Sequence, residues 1–275
     1  MARQSALINV MVAAALKVAR GLARDFGEVE NLQVSQKGPA EFVGIAQLKA
    51  QRTLKAELSK ARPDFGFLMP ASDPGPSGSE RRWIADPLNG AGNFLHGIPH
   101  YCVAIAVEQA GELIAGVIYQ PLSQELFWAE AGIGAFINDR RLRVSGRRGL
   151  AEAVVATGMP HAGERGEADF LARMQRLLPQ VAGVRQMGAP ALDLAYVAAG
   201  RFDAYWESGL SGWDVAAGVI LLQEAGGFTS DLRGGHAMLS TGQVLAANPH
   251  LRPQLLALLR EPEAPAAVVK SERQT

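Results

Sequence analysis

The 275-residue chain lacks most of the features that settle a function class at sight. Its single cysteine, Cys102, rules out an intramolecular disulfide and a thiolate-rich zinc site, and such usage suits a reducing compartment. Five histidines, none closely paired, give no basis for a His-based metal centre. Neither charge sign dominates: 27 Lys and Arg balance 27 Asp and Glu, and the pI is about 7.0. That balance argues against a nucleic-acid partner held by bulk positive charge. Long hydrophobic runs are missing as well. The apolar stretch Val10–Ala19 is interrupted by Lys17, closed by Arg20, and too short to span a bilayer. The expectation is a soluble, cytoplasmic protein with no membrane anchor. No internal repeat occurs.

What the chain does have is core material. Hydrophobic residues make up 48% and charged residues 20%, which excludes wholesale disorder. Apolar spacing predicts helices over Leu7–Phe26 and Ile45–Lys60, then a buried strand at 65–69 and a mobile Pro/Gly/Ser loop at 70–79. Strand signals follow at Trp83–Leu88, Tyr101–Gln109, Glu112–Tyr119, Glu125–Ala129 and Gly134–Ile137, with turn residues between them, as in an antiparallel meander. Beyond Leu150, strands (Val154–Ala156, Asp203–Trp206, Val244–Ala246) alternate with helices (Ala168–Leu178, Ala191–Ala199, Val215–Glu224, Pro249–Leu259), implying a layered α/β arrangement. The division is therefore an N-terminal α+β half (1–150), a C-terminal α/β half (151–260) and a disordered tail (261–275).

Two segments can carry chemistry. In Trp83-Ile84-Ala85-Asp86-Pro87-Leu88-Asn89-Gly90-Ala91-Gly92-Asn93-Phe94 a hydrophobic strand ends in a carboxylate and a small-residue turn, whose N–H groups can approach an anion. In Trp213-Asp214-Val215-Ala216-Ala217-Gly218, Asp214 opens an apolar helix, where the ordinary role is a helix N-cap. His96, His100, His161 and His236 read as surface or turn residues. The strip Arg140, Arg141, Arg143, Arg147 and Arg148 reads as a solvated hairpin edge.

Taken together, the two segments resemble the inositol monophosphatase family, in its bacterial SuhB-like branch. The resemblance continues through Phe94-Leu95-His96-Gly97-Ile98-Pro99, Leu192-Asp193-Leu194-Ala195-Tyr196 and Gln223-Glu224-Ala225-Gly226-Gly227. It implies an alternating αβαβα sandwich, a likeness to Mg²⁺-dependent phosphomonoesterases, and a homodimer or a mixed dimer with an active relative. It also implies that Asp86 and Asp214 converge in one cleft as metal ligands together with the Leu88 carbonyl. Gly90 and Ala91 would receive phosphate on backbone N–H groups, and Glu207 would contact substrate hydroxyls.

Other positions depart from the family pattern. Asn89 stands where the family has its second motif aspartate, and Ala91 replaces a threonine hydroxyl. Met69-Pro70-Ala71 replaces Gly-Glu-Glu, and Gln47 replaces a further aspartate. Asp73 or Glu80 would be the nearest substitutes for the missing ligands. These losses predict weak or absent Mg²⁺ binding and a non-catalytic homologue that binds a protein partner or regulates an active relative. The alternative is an active phosphatase working with a non-standard ligand set.

Overall fold

A computed structural model describes residues 4–32, 39–71, 79–160 and 166–260. The helices are α1 (Ala6–Leu32), α2 (Pro39–Ala61), α3 (Ala91–Leu95), α4 (Glu167–Leu177), α5 (Pro190–Ala198), α6 (Gly212–Glu224), α7 (Met238–Thr241) and α8 (Arg252–Leu259). The first sheet contains β1 (Gly66–Leu68), β2 (Arg81–Asn89), β3 (Cys102–Gln109), β4 (Glu112–Gln120), β5 (Glu125–Glu130), β6 (Gly134–Ile137) and β7 (Arg140–Arg141), in that order. The second is built from β8 (Val154–Thr157), β9 (Gly183–Arg185), β10 (Ala204–Ser208), β11 (Phe228–Ser230) and β12 (Gln243–Ala247), ordered β11-β12-β10-β8-β9.

A run that is apolar on both faces of a strand must be covered on both sides, and β3, apolar from Cys102 to Val107, is. Val103, Ile105 and Val107 join a core shared with α1 and α2, while Cys102, Ala104 and Ala106 point the other way, toward α5 and α6. The second sheet repeats the arrangement. Tyr205, Val244 and Ala246 meet the α5–α6 layer, whereas Ala204, Trp206 and Leu245 meet Leu177, Leu251, Leu255 and Leu259 of the α4–α8 layer. Three cores, the middle one packed on both sides of the α5–α6 layer, join five layers, so the protein is the αβαβα sandwich that the resemblance implied.

Several details differ from the sequence reading. The first sheet is antiparallel from β2 to β7, but β1 adds to β2 in parallel. Three-residue strands β9 and β11 were not expected, being too short to show a period. Helix α1 continues past the expected end at Phe26 to Leu32. Within Ala6–Val29 an 18-residue stretch has a mean hydropathy of 1.6, so by length and composition alone the helix could cross a membrane. Here its Ile8, Met11, Ala15 and Leu22 are buried in the first core. Of the arginine strip, Arg140 and Arg141 do form an exposed edge strand, but Arg147 is ion-paired at 2.9 Å with the buried Asp203. The expected tail lies outside the described residues, as do residues 72–78 of the expected mobile loop.

Helix α6 is held by close contacts on two sides. A Cβ on Gly116 of β4 would lie 2.5 Å from Ile220 Cγ2, and one on Gly218 would lie 2.4 Å from Leu194 Cβ of α5. Gly116→Ala and Gly218→Ala are each expected to lower unfolding free energy by about 1–3 kcal/mol through overpacking. The check is a urea titration, in which the midpoint should fall while the slope stays unchanged.

Candidate functional site

Strand β2 brings the first carboxylate into place. Its pairing with β3 is irregular between Asp86 and Asn89, where Pro87 has no N–H to give the ladder. The Asp86 carboxylate turns onto its own chain: Oδ1 accepts from the Leu88 N–H at 3.0 Å, and Oδ2 from the Asn89 amide at 3.0 Å. Gly90 follows at φ +89°, and a Cβ there would lie 2.9 Å from the His100 carbonyl oxygen, so only glycine fits. The chain then enters α3, whose first N–H groups have no acceptor within the helix. Asn93 anchors this turn by donating to the carbonyls of His100 and Met187, both at 2.7 Å.

The second carboxylate arrives on α6. Ser211, in extended conformation, is the cap residue, and Asp214 is the third residue of the helix rather than the N-cap expected from sequence. Asp214 Oδ2 accepts from the Ser211 N–H at 2.8 Å, which is the reciprocal arm of a capping box. Its Oδ1 accepts from the Asn89 amide at 3.4 Å, although the two residues are 125 positions apart. The same amide therefore touches both carboxylates. Burial pushes the Asp86 pKa up to about 7, with the neighbouring Asp214 adding to the rise and the Asn89 and Leu88 hydrogen bonds opposing it. Burial raises Asp214 as well.

These groups line a cleft of about 530 Å³. Leu88, Gly90, Ala91 and Glu207 line it too, as do the substituted positions Gln47 and Pro70. Ala71 does not; it is exposed at φ +46°. Glu207 comes from the end of β10 and accepts a hydrogen bond from the Tyr205 hydroxyl. Gly158 makes room for it, since a Cβ there would overlap the Glu207 carboxylate at 2.0 Å. Of the two proposed substitute ligands, Glu80 is not in the cleft. Glu80 is exposed beyond the opposite end of β2, beside Ala110, and Asp73 lies outside the described residues. Among the described residues no group of three or more His, Cys, Asp and Glu side chains is placed to hold a metal.

One pair escaped the sequence reading. His100 is buried, not on the surface, and its Nε2 lies 3.0 Å from Asp193 Oδ1 on α5. Asp193 sits inside an apolar helical run, and a carboxylate in such a run calls for a partner; that was the available signal. The pair ties the start of β3 to α5, directly behind the Gly90 turn. His96 is exposed on the cleft rim and His236 is exposed, as expected, while His161 lies outside the described residues. Met159 and Gln186 also line the cleft, and no sequence signal marked them.

Comparison with known proteins bears on what this cleft does. The profile of the inositol monophosphatase family matches residues 3–263. An inositol-1-monophosphatase of Mesorhizobium japonicum is 54% identical over 260 residues, covering 94% of this chain and 98% of the relative. Another from Rhizobium meliloti is 50% identical over 261 residues, with 94% and 98% covered. The crystal structure of the extragenic suppressor protein SuhB from Bartonella henselae superposes with a TM-score of 0.86 at 50% identity, covering 94% of this chain and 99% of that one. These relatives overturn the expectation of a non-catalytic homologue. Proteins sharing half of this chain's residues along its length are named for the phosphatase, and the alternative of an active enzyme fits them better.

The His100–Asp193 pair yields a stability test. Burial raises the Asp193 pKa, with His100 pulling it back down. His100→Ala leaves a buried carboxylate unpaired, and the expected loss at neutral pH is about 3–5 kcal/mol. A raised folded-state pKa contributes stability while the proton is bound and loses it as pH rises. The deficit should therefore shrink toward about pH 4, the ordinary carboxylate range, and grow toward neutrality. Denaturant unfolding of wild type and variant at both pH values checks this.

Proposed function

The chain belongs to the inositol monophosphatase family, and from that premise we propose that it is a Mg²⁺-dependent phosphomonoesterase of the inositol-1-monophosphatase type with a non-standard ligand set. The observation that carries this reading is the meeting of Asp86 and Asp214 on one amide at the base of a cleft that also holds Glu207 and the Gly90–Ala91 turn.

The donor chemistry fits a single hard cation. Mg²⁺ takes oxygen ligands and is ordinarily held by one or two carboxylates, with waters and substrate phosphate completing the octahedron. Asp86, the Leu88 carbonyl and Asp214 would hold it, and the raised pKa values of the buried Asp86 and the half-buried Asp214 mark a place where positive charge is wanted. When bound, such an ion polarises the phosphate, stabilises the leaving oxygen and acidifies a water. Lacking carboxylates at Gln47, Pro70 and Asn89, the cleft offers less negative charge than the family pattern, so the reading includes weak, millimolar-range affinity.

The remaining groups bind and orient. The N–H groups of Gly90 and Ala91 present donors to phosphate oxygens at a turn that the Gly90 backbone alone can form. Glu207, braced by the Tyr205 hydroxyl, accepts from substrate hydroxyls and sets the ring's orientation relative to the phosphate. Ala91 supplies no hydroxyl, so water positioning falls to the carboxylates. The same reading takes the protein as a cytoplasmic homodimer, supported by the family resemblance and, for the compartment, by a composition with a single, buried cysteine.

Purified protein should release inorganic phosphate from inositol 1-phosphate only when Mg²⁺ is present. Asp86→Asn and Asp214→Asn should each lower kcat/KM by more than the ~100-fold that loss of an outer-shell metal partner costs. Glu207→Gln should raise KM more than it lowers kcat. Turnover that survives EDTA or either aspartate substitution would overturn the reading.

A further inference from the structure

Asn89 stands where the resemblance calls for an aspartate, yet its amide is more thoroughly engaged than a carboxylate there could be. Its Oδ1 accepts from the Ala191 N–H of α5 at 3.0 Å. Its Nδ2 donates to Asp86 Oδ2 at 3.0 Å and to Asp214 Oδ1 at 3.4 Å. The other oxygen of each aspartate is also occupied, Asp86 Oδ1 by the Leu88 N–H at 3.0 Å and Asp214 Oδ2 by the Ser211 N–H at 2.8 Å. All four carboxylate oxygens thus have one donor each from the protein itself. Each still has a second acceptor site, because an ionised carboxylate offers about four.

An amide is unusual in accepting at one end and donating twice at the other. A carboxylate at position 89 could keep the bond from Ala191 N–H, but it would bring a third negative oxygen against the two aspartates. We infer that Asn89 is a positioning residue that takes a cation's place between Asp86 and Asp214. It holds the pair together before any ion binds and leaves the cleft with ligands for one ion rather than several. This inference rests on the reading of the cleft as a cation site and specifies how that site is kept assembled.

Melting of the full-length protein, in EDTA and in saturating Mg²⁺ alone, tests it. In EDTA the Tm of Asn89→Asp falls by about 5 °C or more, and Mg²⁺ restores most of the loss while shifting wild type far less. Asn89→Ala also falls, with partial recovery in Mg²⁺. A control is Asn248→Ala, which removes a buried amide outside the cleft that holds Ser145 and the Arg147 carbonyl. It melts earlier and regains nothing specific to Mg²⁺.

The inference is overturned if Mg²⁺ moves both Asn89 variants no more than wild type, or if Asn89→Asp melts with wild type in EDTA. Should Asn89→Asp fail to fold, Asn89→Ala decides by the same comparison. Phosphate release is scored separately. Mg²⁺-rescued melting without wild-type turnover would remove the catalytic reading and leave the bridge standing, whereas turnover with Mg²⁺-insensitive variants would remove the bridge alone.

Discussion

Gly116 on β4 and Gly218 on α6 let sheet and helices approach more closely than any side chain would permit, and that approach fixes where α6 begins. Because α6 is buried along nearly its whole length, its first turn cannot drift without disturbing both the first sheet and α5. Asp214 is in that first turn, and Asp86 is at the end of the strand packed against the same helix. The meeting of two carboxylates is thus a consequence of core packing, settled by many apolar contacts rather than by mutual attraction, which two like charges lack. Packing of this density transmits strain instead of absorbing it.

Electrostatics then has to accommodate what packing imposes. Two acids at such proximity, one buried and one half-buried, would ordinarily keep a proton or recruit a cation. Here the protein supplies N–H donors from Leu88, Ser211 and Asn89, and the Asn89 amide extends the network to the N-terminus of α5. The His100–Asp193 pair lies on that same helix, so both polar assemblies of the middle layer are fastened to α5. The cleft is consequently hydrogen-bonded at its base and open at its rim, where Met159 is more than half exposed.

The layered architecture was legible in the sequence because continuous apolar strands demand cover on both faces, and β3 and β4 announce that plainly. Boundaries were less legible. Helix α6 starts at Gly212, ahead of the expected Val215, because a Ser cap followed by Gly and Trp does not look like a helix start. The short strands β9 and β11 have no room for a period. Membership of the cleft came from resemblance rather than spacing, since nothing local says that Asn89 will reach Asp214. His100 was misread for the same reason: its partner is distant in the chain and the pairing leaves no periodic trace. The functional expectation went astray by counting absent carboxylates as though ligand number alone decided activity. That count ignored the amide network, and the phosphatases sharing half of this sequence point the other way.

Cys102 pairs with Asn89 across β2 and β3, with its side chain in the middle core. Burial pushes its thiol pKa well above the usual range, so in the closed state it has neither access nor the thiolate form that reacts. Labelling by a thiol reagent must then wait for this part of the sheet to open, and its rate measures the free energy of that opening. As the chain has no other cysteine, the signal comes from one place, directly opposite the residue that bridges the two aspartates. The protein therefore carries a built-in chemical clock for the integrity of its own cleft, readable without adding a probe.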